Sequence, residues 1–102
     1  MRPRYLLAPE AARDLVEIWR YVKRESSSEM ADRVESVIRD KIVFLAGNSE
    51  SGHWRKDLTD APVKFFSVYS YLIVYRPDKK PLEVVAILHG NRDVEPLLKD
   101  RL

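Results

Sequence analysis

The polar residues that close the last apolar run of this chain are those whose types could do chemistry. Leu82 to Leu88 is almost wholly apolar, and His89, Gly90, Asn91, Arg92 and Asp93 follow it directly. A neighbouring run from Tyr71 ends on Arg76. A histidine beside one or two arginines and a tyrosine could cleave RNA. The base would take the 2′-hydroxyl proton while the cations stabilise the charged phosphorane. The same residue types also serve a structural role, in which an Arg92–Asp93 or Arg76–Asp93 pair ties the C-terminus to the sheet. Residue types alone leave both readings open.

Other chemistries have less to work with. His53 and His89 are the only histidines, and neither has a partner at helical metal-ligand spacing, so no metal site is expected. There is no cysteine, hence no disulfide framework or thiolate. The three glycines form no phosphate-binding loop, and no serine sits in a nucleophile elbow. No cofactor is expected.

The elements that must position these residues follow from periodicity. Arg4 to Leu7 reads as a short first strand. Pro9 suits the first position of a helix, where its missing N–H costs nothing. Leu15, Ile18, Trp19 and Val22 recur at helical spacing as a buried stripe, leaving Arg13, Asp14, Glu17, Arg20 and Lys23 for a solvated face. Ser26 and Glu29 stand at capping-box spacing for a second helix. Its stripe is Ala31, Val34, Ile38, Ile42 and Leu45, widened by Met30, Val37 and Phe44. Gly47 is expected to end it in the left-handed conformation. The polar turn between them makes the two helices an antiparallel hairpin.

Residues 48–62 form a long connection, a length often associated with function. In it, Trp54, Arg55 and Lys56 combine an aromatic with cations. Either Trp54 and Leu58 pin the loop to the sheet, or the group meets a partner. From Val63 the period becomes that of strands. Leu72 to Tyr75 is apolar throughout, as for a strand buried on both faces. Pro77 to Lys80 is a turn, Leu82 to Leu88 the last strand, and Asp93 can cap a short terminal helix anchored by Leu97 and Leu98. The fold class is therefore α+β. An N-terminal strand precedes a helix hairpin packed on one face of a small, mainly antiparallel sheet, with a short C-terminal helix.

At 102 residues the chain is expected to be one domain over residues 1–102, and 45% hydrophobic with 33% charged content argues against disorder. No apolar run reaches the roughly 20 residues of a membrane span. The N-terminus lacks the apolar core of a signal peptide. A cytoplasmic location, with no membrane partner, is the expectation. The net charge of +2 is thinly spread: residues 1–50 hold nine Lys/Arg and nine Asp/Glu. Such a chain has no basic arm, so direct sequence-specific DNA binding is not expected.

The order of these pieces resembles the RelE/ParE superfamily of bacterial type II toxin–antitoxin systems, in particular the ParE-like branch often called plasmid stabilisation proteins. The resemblance runs from Leu7-Ala8-Pro9-Glu10-Ala11, through the hairpin and Tyr71-Leu72-Ile73-Val74-Tyr75-Arg76, to Leu88-His89-Gly90-Asn91-Arg92-Asp93. It implies a growth-arresting toxin neutralised by a cognate antitoxin whose C-terminal segment wraps it. RelE-like members cut mRNA on the ribosome with a set of basic residues, whereas ParE-like members poison DNA gyrase without being nucleases. Here Leu72 stands where RelE-like toxins carry an arginine. Their strand lysines fall near the apolar Val63 and Phe65, and Lys64 faces the other way by alternation. Arg92 retains the final cation, but no tyrosine follows in the terminal helix. The departures imply a ParE-like, non-enzymatic gyrase inhibitor. Trp54, Arg55, Lys56, Lys64, Tyr71, Arg76, His89, Arg92 and Asp93 would then supply its target or antitoxin surface. Some related nucleases use histidine and glutamate in place of the lysines. That leaves a ribosome-dependent mRNA interferase built on His89, Arg92 and Arg76 as an alternative. An inert member that only binds its antitoxin is another.

Overall fold

The computed structural model describes residues 4–90 and 93–102. The elements run β1 (Tyr5–Leu7), α1 (Pro9–Glu25), α2 (Ser28–Gly47), β2 (Lys64–Val68), β3 (Tyr71–Arg76), β4 (Leu82–His89) and α3 (Val94–Lys99). The four strands form one sheet in the order β1-β4-β3-β2. β1 lies parallel to β4, and the other two pairings are antiparallel. This is the α+β architecture that the periodicity implied.

Pro9 occupies the first turn of α1, and Ala8 provides no side-chain cap. α2 starts one residue later than the capping-box spacing suggested. Ser27, not Ser26, is the N-cap, and its hydroxyl accepts the Met30 N–H at 3.0 Å. That register puts Met30 at N3, so Glu29 cannot complete a reciprocal box. Gly47 is the last residue of α2 rather than a left-handed cap, and no described glycine has positive φ. Asn48 ends the helix instead, its backbone N–H bonding Leu45 O and its side-chain amide bonding Phe44 O. Trp19 Nε1 donates to Asp32 at 2.8 Å and ties the two helices across the hairpin.

Both helices lie on one face of the sheet. Ala11, Leu15 and Ile18 of α1 and Ile38, Ile42 and Leu45 of α2 pack there on Ile73, Tyr75 and Ile87. The opposite face is covered by Leu58 of the long loop and by Val94 and Leu98 of α3, over Phe65, Val74 and Leu88. Two covers explain why β3 is buried on both sides. A bulge opposite Val74/Tyr75 makes Val85 an extra residue in β4. Val85 and Ala86 therefore both face the α3 side, while Val84 and Ile87 face the helices. Leu97 was expected to share the anchoring of α3 but stays exposed; Val94 and Leu98 do it.

The long loop is held from beneath. Tyr75 reaches out of the core, where its hydroxyl accepts the Gly52 N–H at 2.9 Å and donates to Ser49 O at 2.9 Å. Burial pushes this phenol above its ordinary pKa, against the opposing effect of the Gly52 hydrogen bond. A Cβ on Gly52 would run into the Tyr75 hydroxyl and lie 3.0 Å from Phe65 O. Only glycine lets the loop come this close.

Candidate functional site

β1 covers only the first part of β4: Tyr5, Leu6 and Leu7 pair with Leu82, Glu83 and Val84. Beyond Val84 the edge of β4 has no strand beside it among the described residues, and its backbone donors need other partners. Asp14 supplies one. Its Oδ2 accepts the Ile87 N–H at 2.9 Å, and both carboxylate oxygens receive Arg101 at 2.8 Å. Arg101 also reaches Glu10 at 2.8 Å. Hydrogen bonds to Asp14 hold the guanidinium above its ordinary pKa, against desolvation. Asp14 was expected on the solvated face of α1 and is in fact buried. The spacing Ala11, Asp14, Ile18 is helical and already places it on the core stripe; its charge masked the pattern.

This ion pair floors a groove of about 420 Å³ between α1, the open edge of β4 and α3. Glu17, Arg20, Tyr21 and Arg24 line it from α1, His89 and Tyr71 from the sheet end, and Leu97 from α3. Arg24 stacks its guanidinium 5.8 Å from the Tyr21 ring. Neither Arg20 nor Arg24 has an acidic partner within ion-pair distance among the described residues. Tyr71 and His89 meet edge to face, ring centroids 5.3 Å apart. Tyr21 and Leu97 add exposed apolar surface. The groove thus offers a partner two arginines without acidic partners among the described residues, and an apolar wall.

The antiparallel register separates residues that the sequence suggested might converge. Tyr71 pairs with His89, whereas Arg76 pairs with Glu83 at the far end of the same strands. Five residues of extended chain put about 17 Å between those ends. Arg76 is spent there in an ion pair, Nε to Glu83 Oε1 at 2.7 Å. The expected grouping of Arg76 with His89 and Asp93 is therefore corrected. Asp93 precedes α3 in the N-cap position but makes no side-chain capping bond. Arg92 lies outside the described residues.

A second cluster stands at the β2 edge. His53 pairs with Phe65 through two backbone hydrogen bonds of 2.8 Å, extending the sheet by one bridge. Next to it Trp54 is 50% exposed, so it does not pin the loop as one reading had it; Leu58 does. Lys64 lies 5.0 Å and Lys56 5.9 Å from the Trp54 ring centroid. Lys64 Nζ also donates to Glu50 O at 3.2 Å. Arg55 is engaged by Asp57 in a bidentate pair at 2.8 and 2.9 Å, and its hydrogen bonds hold the Asp57 carboxyl below its ordinary pKa.

The sequence reading missed Asp14, Arg101, Tyr21 and Arg24. Among the described residues no three His, Asp or Glu side chains gather as a metal site would require, and no helix is long and apolar enough to cross a membrane.

Comparison with known proteins agrees with the architecture. A family model described as the ParE toxin of the type II toxin–antitoxin system parDE matches residues 5–94. Among solved structures, the chain is similar to one titled as a chromosomal ParDE toxin–antitoxin system from P. aeruginosa. The TM-score is 0.70 at 18% identity, covering 83% of this chain and 92% of that one. At that identity the likeness is one of fold. No curated protein matches the chain in sequence.

Proposed function

Because this chain belongs to the ParE toxin family of type II toxin–antitoxin systems, we propose that it is a one-domain toxin that inhibits DNA gyrase by binding it in the bacterial cytoplasm. A cognate antitoxin neutralises it. The observation that carries the choice of target is the β3–β4 register. Arg76 sits opposite Glu83 and away from His89, so it is not available to an mRNA-cutting site built on that histidine. Leu72, partly buried against the α3-side core, supplies no cation either. Both observations support protein binding over bond cleavage.

The groove between α1, β4 and α3 suits the antitoxin. Its two arginines, Arg20 and Arg24, and the exposed Tyr21 and Leu97 match a segment that carries acidic and apolar side chains and folds as it binds. One observation favours a second reading, a ribosome-dependent mRNA interferase. The Tyr71–His89 pair shares this groove with Arg20 and Arg24, and a histidine near cations is able to do acid–base work.

One experiment separates the two. The toxin is induced in cells, and gyrase supercoiling activity and primer-extension maps of mRNA are taken from the same cultures. Lost supercoiling with intact mRNA supports the gyrase reading. Mapped mRNA cuts with normal supercoiling, abolished by His89→Ala, would replace it with the second. Growth without arrest would leave only an antitoxin-binding protein.

A further inference from the structure

Trp54 is half-exposed in a loop that is otherwise fastened down. On one side Gly52 is clamped by the Tyr75 hydroxyl, and His53 is bonded twice to Phe65. On the other, the half-buried Leu58 packs against the core, and the Arg55 carbonyl accepts the N–H groups of Leu58 and Thr59. A tryptophan free to fold inward would bury a large apolar area. This one is kept out by a rigid backbone. Two lysines stand by its ring, and Lys64 is itself positioned by its bond to Glu50 O. Asp57, the nearest acidic residue in sequence, is neutralised by Arg55. What remains is an aromatic anchor with two cations, pre-ordered before any partner arrives.

We propose that Trp54, Lys56 and Lys64 form the contact through which the toxin grips an acidic surface of its target protein; the inference rests on the toxin reading above. Tryptophan is among the residues that dominate interface energetics, and pre-ordering spares the loop the entropy of fixing it on binding. The lysines call for carboxylates. A nucleic-acid backbone would need a longer run of cations than two, and the chain carries a net charge of only +2. The place matters as well. The cluster lies by β2, at the opposite edge of the sheet from the β1 edge beside which the α1 groove opens. A small rigid patch suits a folded partner, whereas the groove with its exposed Tyr21 and Leu97 suits a segment that folds on binding. Target and antitoxin would thus meet different faces.

The test compares wild type with Trp54→Ala and with the double variant Lys56→Glu/Lys64→Glu. Growth arrest, the toxin concentration that halves gyrase supercoiling, and affinity for the cognate antitoxin are measured. Both variants should arrest growth poorly and need at least about tenfold more toxin against gyrase, the scale of losing an interface anchor. Their antitoxin affinity should stay within about threefold of wild type, a factor too small to reflect a lost anchor. If Trp54→Ala fails to fold, Lys56→Gln/Lys64→Gln keeps the ring and carries the test. Variants as toxic as wild type would overturn the proposal. So would variants that lose antitoxin binding alone, or a wild-type chain that binds a DNA duplex through these three residues. If wild type arrests growth while supercoiling is untouched, the gyrase reading fails, and the growth-arrest comparison still decides the surface. A wild-type chain that arrests nothing overturns both.

Discussion

Asp14, in the middle of α1, accepts the backbone N–H of Ile87 in β4 at 2.9 Å, and so does the work of a missing strand. β1 stops at Leu7, opposite Val84, and the carboxylate takes over beyond it. Arg101, close to the C-terminus, locks that carboxylate from the other side.

Asp14→Ala should therefore cost about 2–4 kcal/mol, since it orphans a buried N–H and leaves Arg101 with Glu10 alone. Asp14→Asn keeps an acceptor for Ile87 and should lose less. Chemical denaturation of the two variants measures the difference; equal losses would mean that the Ile87 bond contributes nothing.

Gly52→Ala should destabilise by about 1–3 kcal/mol, because the added methyl meets the Tyr75 hydroxyl and the Phe65 carbonyl. Tyr75→Phe removes the hydroxyl part of that clash, leaving the ring carbon Cε1 2.9 Å from the added methyl, and strands the Gly52 N–H and the Ser49 carbonyl, for a loss on the order of 1–3 kcal/mol. The two changes share one contact, so the double variant should lose less than the sum of the singles. Additive losses in a denaturant titration would contradict the clamp.

Tyr75 also sets an alkaline limit. Its folded pKa is raised above the ordinary 10.0, so the unfolded chain releases this proton first as pH rises. The contribution is complete below about pH 10 and is lost as pH climbs from there through the folded value. Thermal midpoints of wild type should fall across that window more steeply than those of Tyr75→Phe; parallel curves would exclude Tyr75 as the cause.

Tyr69, at the tip of the β2–β3 hairpin, has φ of 55° and is 62% exposed. That left-handed conformation costs an L-residue roughly 1–2 kcal/mol and is better tolerated by asparagine. Tyr69→Asn should raise stability by some tenths of a kcal/mol up to about 1 kcal/mol. A lower denaturation midpoint would show that the exposed ring makes contacts that outweigh the strain.

The antitoxin should raise the toxin's thermal midpoint. A partner that binds only the folded state adds about 2.7 kcal/mol at a hundred times its Kd. Identical midpoints with and without saturating antitoxin would contradict the proposed groove occupancy.

The sequence by itself determined the elements and their order. Helical recurrence in Ala31, Val34, Ile38, Ile42 and Leu45, the position of Pro9, and the apolar runs of β3 and β4 are local patterns, readable within one turn or one strand. Family kinship was legible too, because it lies in the order of such pieces. The site was not. Whether Arg76 stands near His89 depends on which way β3 and β4 run past each other, and the antiparallel register sends the two ends apart. The burial of Asp14 depends on β1 ending before β4 does and on Arg101, 87 residues away, folding back to pair with it. These are long-range satisfactions of backbone and charge. A carboxylate reads as surface in a sequence until the tertiary structure supplies the donors that make its burial affordable.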